Sequence, residues 1–175
     1  DPPTALDSTL TCTASATDAD GETVSLQYEW LINGSLVGSG ATLANNFAAG
    51  TTIQCEVTPY DGTDYGTAQN VAVTVQNSAP SVDIPAFTSS EVYTDDTRTA
   101  STSACDADGD SIILQYDWHV NGSSVQSSIS NTLDGLVHFS KHDGVYVTVT
   151  PNDGTTYGTA ETSTTITISN TPPDV

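Results

Sequence analysis

Residues 18–34 read DADGETVSLQYEWLING, and residues 106–122 read DADGDSIILQYDWHVNG. Ten of these 17 positions are identical, at an offset of 88. In the first stretch Val24, Leu26, Tyr28, Trp30 and Ile32 alternate with Thr23, Ser25, Gln27, Glu29 and Leu31. In the second, Ile112, Leu114, Tyr116, Trp118 and Val120 take the same places. A period of two is the pattern of a strand with one buried face. Each stretch closes on Asn-Gly, the preferred pair for a tight type I′ hairpin.

The repetition extends outward from this stretch. Residues 58–68, TPYDGTDYGTA, match residues 150–160, TPNDGTTYGTA, at nine of 11 positions and an offset of 92. Residues 77–80, NSAP, pair with residues 170–173, NTPP, at an offset of 93. The chain therefore reads as two copies of one module, 1–78 and 79–175, the second having gained a few residues in its middle and late parts. Further alternating runs follow in each copy: Ile53, Cys55 and Val57 match Val145, Val147 and Val149, while Val71, Val73 and Val75 match Thr164, Ile166 and Ile168. Asp61-Gly62 and Asp153-Gly154 mark turns between them. No amphipathic helix of useful length is legible, so each module reads as all-β.

Composition agrees with that class. The 175 residues suffice for one domain or two small ones. Ser and Thr supply 49 of them, so polarity comes from small side chains compatible with strands. The net charge is −20, with Arg98 and Lys141 as the two basic residues. A chain this acidic repels phosphate backbones and anionic lipid, which argues against nucleic-acid partners. No apolar run approaches the roughly 18 residues of a membrane-spanning helix, so no membrane insertion is expected. The chain begins without Met, and the expectation is a processed chain or an excerpt of a longer one.

The motifs D-A-D-G-[ED], Y-x-W-x-x-N-G and T-P-x-D-G-T-x-Y-G resemble those of bacterial Ig-like and PKD-like repeats on secreted and cell-surface proteins. The resemblance covers nearly the whole chain, twice. It implies two tandem immunoglobulin-like β-sandwiches arranged as a rod, in an extracellular or cell-surface location. Cys12, Trp30 and Cys55 follow the order of that fold, Cys on strand B, Trp on strand C and Cys on strand F. The resemblance thereby implies a Cys12–Cys55 disulfide and an oxidising compartment. Copy two carries Ala100 and Val147 at the equivalent positions, and a core of Ala100, Val147 and Trp118 is expected in place of the bridge. Cys105 aligns with Thr17 and has no partner in the pattern; it is read as a free thiol, with an intermolecular crosslink as the alternative.

Asp18, Asp20 and Glu22 stand at alternate positions, and Asp106, Asp108 and Asp110 repeat them. Alternate carboxylates in a loop can converge on a hard cation such as Ca²⁺. The spacing departs from an EF-hand, since Gly stands at the fourth position and Glu29 and Asp117 fall too far along a strand to ligate. In an Ig-like sandwich the B–C and F–G loops share one end, which brings Asp61, Asp64 and Asp153 into the candidate set. Calcium at each module is the expectation, with solvated turn acids as the alternative. The B–C loops of module two are expected next to the exit of module one, across a short connection stiffened by Pro80, so that a cation there would make the pair rigid.

Copy two opens with residues 80–85, PSVDIP, a first strand that copy one lacks. Residues 172–175 resemble the start of that strand. Two expectations follow: a tandem array cut out of phase, or a tail that completes the first sandwich of the next copy. Both describe head-to-tail contact with neighbouring copies, a geometry that builds open filaments.

Trp30 and Trp118 read as core. Tyr65 and Tyr157 flank the F–G turn and read as edge packing, with stacking on sugars as the alternative. His119 points outward from its strand and reads as solvated. Asn33-Gly34-Ser35 and Asn121-Gly122-Ser123 are N-x-S sequons, read first as hairpin turns and otherwise as glycosylation sites at Asn33 and Asn121. No nucleophile elbow, HExxH, P-loop or dinucleotide fingerprint is present, so no enzyme is expected. The expected function is a structural segment of an extracellular filament or adhesin stalk. The alternative is a carbohydrate- or protein-binding accessory module of a secreted protein.

Overall fold

The computed structural model describes residues 2–4, 7–44, 47–89 and 91–171. Contacts divide the chain into two units, Asp1–Ser78 and Ala79–Val175. Residues 172–175, on which the expectation of a completing tail falls, lie outside the described residues. No described helix is long and apolar enough to cross a membrane.

In the first unit, β1 (Thr9–Thr11) is followed by β2 (Ser25–Ile32), the strand formed by the opening alternation. The chain then turns through Asn33 and Gly34, at φ of 48° and 80°, into β3 (Ser35–Ser39). Two successive positive φ values match the twist of the flanking strands, and Asn followed by Gly adopts them at least cost. Asn33 Oδ1 also accepts a hydrogen bond from Thr52 N at 3.0 Å. This ties the turn to β5 (Thr52–Tyr60), which comes after β4 (Thr42–Ala44). With β6 (Gln69–Thr74) the strands form a four-stranded antiparallel sheet in the order β3-β2-β5-β6, while β1 pairs with β4 in a second sheet. Trp30, Ile53, Cys55 and Val57 of the larger sheet meet Leu43 of the smaller one and Cys12 just past β1, with Phe47 and Val75 closing the cluster. The Trp30 indole N–H reaches Gly40 O at 2.9 Å, so its polar end is satisfied inside the apolar layer.

The second unit repeats the plan with more parts. A leading segment supplies β7 (Ser81–Val82) and β8 (Ala86–Phe87). Then come β9 (Thr97–Ser101), β10 (Ala104–Cys105), β11 (Ile113–Val120), β12 (Ser123–Ser128) and β13 (Thr132–Asp134). One helical turn, α1 (Gly135–His138), is capped by the Asp134 carboxylate, which accepts from Leu136 N; the alternation pattern gave no sign of it. β14 (Gly144–Asn152), β15 (Glu161–Thr162) and β16 (Ile166–Thr167) complete the unit. The larger sheet runs β12-β11-β14 with β15 and β16 both on β14, the smaller runs β13-β9-β8, and β7 pairs with β10. Trp118 faces Val147 across β11 and β14 as Trp30 faces Cys55 across β2 and β5. Ala100, Trp118 and Val147 are all buried in one core, as expected where the bridge is missing. The molecule is an all-β protein with two sandwich cores.

The drifting offset between copies now has locations. Gly40 and Ser130, the acceptors of the two tryptophans, are 90 apart, so two residues enter near the end of β12. Leu43 and Leu133 keep 90, while Ile53 and Val145 are 92 apart; the helical turn takes up the second pair. The last residue lies inside the final strand. Val145 pairs with Ile166 and Val149 with Glu161, so four steps along β14 face five on its partner. The first unit has no such slip between Ile53–Val73 and Cys55–Val71. The extra residue bulges the strand, and buried Ser163 repairs the ladder: its N–H donates to Val147 O at 2.9 Å and its Oγ accepts from Val147 N at 3.0 Å.

One outward position departs from what alternation implies. His119 is half-buried rather than solvated: its ring stacks on cross-strand Tyr146 with centroids 4.6 Å apart, and its Nε2 lies 2.9 Å from an Asp117 oxygen. Large cross-strand neighbours make the outer face of a sheet a packing surface in its own right.

Candidate functional site

Each unit carries the same acidic hook ahead of its Trp-bearing strand. In the first, Asp18 Oδ1 accepts from Asp20 N at 2.7 Å and Glu22 N at 3.4 Å, with Gly21 at φ 86°. In the second, Asp106 Oδ1 accepts from Asp108 N at 2.8 Å and Asp110 N at 3.2 Å, with Gly109 at φ 80°. The opening Asp thus folds the loop around its own carboxylate, and Gly provides the left-handed residue the bend needs. The turns after β5 and β14 use the same device. Asp61 Oδ1 accepts from Thr63 N at 2.6 Å and Asp64 N at 2.8 Å; Asp153 Oδ1 accepts from Thr155 N and Thr156 N, both at 2.6 Å. The Asp64 and Thr63 amides hold the Asp61 carboxyl below its ordinary value, because they bond its charged form.

These loops bring carboxylates together in two ways. In the first unit an oxygen from each of Asp18, Glu22 and Asp61 lies within 4.8 Å of the others, so the two loops converge. In the second unit Asp106, Asp108 and Asp110 form such a group from a single loop. Among the described residues, Asp20, Asp64 and Asp153 stand outside both groups. Asp106 Oδ2 is buried without a hydrogen-bond partner, a costly position for a carboxylate oxygen unless a positive charge comes near. Three hard oxygens within this span suit an oxygen-preferring divalent cation, completed by backbone carbonyls and water.

The cysteines sort as the motif pattern implied. Cys12 and Cys55 form a disulfide that links the sheets, with Cα atoms 6.5 Å apart. Cys105 is free and exposed on β10, its Sγ 3.1 Å from Ser81 Oγ. Asn33 and Asn121 both build hairpin turns; Asn121 Oδ1 accepts from Gly144 N and its amide donates to Asp143. Tyr65 and Tyr157 stay 63% and 66% exposed. Tyr65 rests one face near Tyr60, at 4.6 Å between centroids.

A feature that alternation could not show lies over the first core. Val71 and Val73 stand on the inward register of β6 yet are 57% and 38% exposed. With Leu10, Cys12, Trp30 and Cys55 they line an open groove of about 240 Å³.

The fold and these sites define a class: an acidic β-sandwich module, present in two copies, with one copy bridged by a disulfide. No protein-family model matches the chain, and no curated protein matches it. Among solved structures it is similar to fibronectin(III)-like modules of Clostridium thermocellum CbhA, at 16% identity over 93% of this chain and 85% of that one, with a TM-score of 0.35.

Proposed function

We propose that this chain is a structural segment of an extracellular or cell-surface filament or adhesin stalk, a scaffold rather than a catalyst. Sandwich modules follow one another head to tail, with neighbouring copies as partners and calcium at the acidic loops. The observation that carries the reading is the recurrence of one acidic hook at the same loop of two like sandwiches. A shared device repeated along a chain serves an array, whereas a catalytic site needs one arrangement in one place. The disulfide suits an oxidising compartment, and the net charge of −20 keeps adjacent modules soluble.

In this reading Asp18, Glu22 and Asp61 hold one ion, and Asp106, Asp108 and Asp110 hold another. Affinity falls in the range of extracellular modules, about 10⁻⁴–10⁻³ M. Calcium at a few millimolar should raise the melting temperature of the chain. Asp106→Asn with Asp108→Asn should remove the part of that rise carried by the second unit. An unchanged melting temperature in calcium overturns the ion. Electron microscopy of native material should show fibres with a two-module axial repeat; monodisperse material would overturn the filament.

A second reading, a carbohydrate-binding accessory module, is supported by the exposed rings of Tyr65 and Tyr157 at equivalent turns. Retention on polysaccharide that is lost in Tyr65→Ala with Tyr157→Ala would favour it over the scaffold.

A further inference from the structure

The hairpins at Asn33-Gly34 and Asn121-Gly122 are closely matched and differ at one contact. Each is a β-branched residue followed by Asn, Gly and Ser, from Ile32 to Ser35 and from Val120 to Ser123. Both asparagines are exposed and hold a left-handed backbone, at φ of 48° and 51°. Both backbone amides donate across the sheet, Asn33 N to Thr52 O at 2.9 Å and Asn121 N to Gly144 O at 2.8 Å. Both side-chain oxygens accept an amide in return, from Thr52 N at 3.0 Å and from Gly144 N at 2.9 Å. The side-chain nitrogens differ. Asn121 Nδ2 donates to Asp143 Oδ1 at 2.8 Å, whereas Asn33 Nδ2 has no partner among the described residues.

One position accounts for the contrast. Asp143 stands directly before Gly144, and Thr51, which has no carboxylate, stands directly before Thr52. The two positions are otherwise alike: Asp143 N donates to Ser140 O and Thr51 N to Ala48 O, each three residues back. The second oxygen of Asp143 accepts from Ser140 N at 2.7 Å, which fixes the carboxylate beside the hairpin.

Asn followed by Gly is also the pair most open to intramolecular deamidation, because Gly has no Cβ to crowd the attacking nitrogen. The Gly nitrogen attacks the Asn Cγ. An N–Cγ bond forms, the Cγ–Nδ2 bond breaks, and Nδ2 leaves as ammonia with the proton of the attacking nitrogen. Water then opens the five-membered imide at either carbonyl, to aspartate or isoaspartate. No electron is transferred, and water is the co-reactant. In the folded chain the side chain must leave its clamp before Cγ can reach the next nitrogen. At Asn33 this breaks the bond from Thr52 N. At Asn121 it breaks the bond from Gly144 N and a charge-assisted bond to Asp143 as well. The products differ too. An aspartate at 33 keeps an oxygen for Thr52 N, and Asp-Gly suits the same turn. An aspartate at 121 sets a carboxylate against Asp143 where a donor now stands, and like charges in contact repel.

We propose that Asn33 is a site of spontaneous modification in the folded chain, deamidating through Gly34, and that Asp143 protects Asn121 from the same reaction. This goes beyond the scaffold reading and does not depend on it.

The test holds the 175-residue chain, disulfide intact, in mildly alkaline buffer and follows both hairpins by peptide mapping and mass spectrometry. A reduced, denatured sample is the reference, in which the two sites should convert at similar rates because their local sequences match. In the folded chain Asn33 should convert at least about fivefold faster than Asn121, the factor one exposed charge-assisted hydrogen bond implies. Asp143→Thr should raise the rate at Asn121 to that at Asn33. Thr51→Asp should slow Asn33 toward the rate at Asn121, and this second variant is decisive because a loosened fold cannot slow the reaction. Asn121→Asp should lower the melting temperature more than Asn33→Asp does. Equal rates in the folded chain, faster conversion at Asn121, or retention of both asparagines while the denatured chain converts would each overturn the proposal. So would an unchanged rate at Asn33 in Thr51→Asp, or the reverse order of the two melting temperatures.

Discussion

The two sandwiches share a plan and close their cores by different means. The first unit locks its sheets with Cys12–Cys55 beside buried Trp30, and Val71 and Val73 stand exposed at an open groove. The second has no bridge there, packs Ala100 against Val147 and Trp118, and covers Trp118 with Phe87. A covalent link and an aromatic lid both hold two sheets together. The link constrains the unfolded chain, whereas the lid removes apolar surface from water. The pair teaches that one topology tolerates a disulfide or a packed Ala–Val contact at the same layer of the core.

The comparison can be broken at its strongest point first. Cys12→Ala with Cys55→Ala opens a link between residues 43 apart in sequence and should cost the first unit about 3–4 kcal/mol. Hydrogen exchange should show lost protection in β5 and unchanged protection in β14. Equal loss in both strands would mean that the units do not keep separate cores. Phe87→Ala should cost the second unit about 2–3 kcal/mol, at or below the lower end for buried aromatic truncation because the ring is only half-buried. The variant should also expose the Trp118 region to a polarity-sensitive dye. Ser163→Ala, measured by denaturant unfolding, should cost about 1–2 kcal/mol, since Val147 N–H would lose its partner inside the core.

The smallest effect concerns acid. Asp61 has its folded value lowered below 3.8, so whatever it contributes is present above that pH and is lost as pH falls through the lowered value. Exchange at the Thr63 and Asp64 amides should therefore quicken as pH drops below 3.8, once the intrinsic pH dependence is removed. Asp61→Asn should make those amides quick at every pH. A flat profile in the unmodified chain would show that the turn does not depend on the carboxylate charge.

Most of the fold was legible because strand alternation and turn chemistry are local. Tyr116, Trp118 and Val120 announced their buried face, and Asn33-Gly34 its hairpin, without help from distant residues. What alternation names is a side of a strand, and it is silent on what covers that side. Val71 and Val73 read like Val145 and Val147, yet one pair faces a groove and the other a closed core. His119 failed for the converse reason, since the outer face had a large neighbour in Tyr146. The acidic set was half legible. Spacing identified the hooks, but whether a second loop joins them depends on loop paths, which bring Asp61 into its group and leave Asp153 outside.

The single residue absorbed at Ser163 has a wider meaning. Side chains along a strand obey an even–odd rule, so an insertion of one inside a paired strand would invert every later residue unless it were taken up locally. Parity of spacing is therefore a structural signal. In a longer series of such copies, an odd jump within a strand should point to a kink and a polar side chain standing in for the ladder, and it could be found by counting alone.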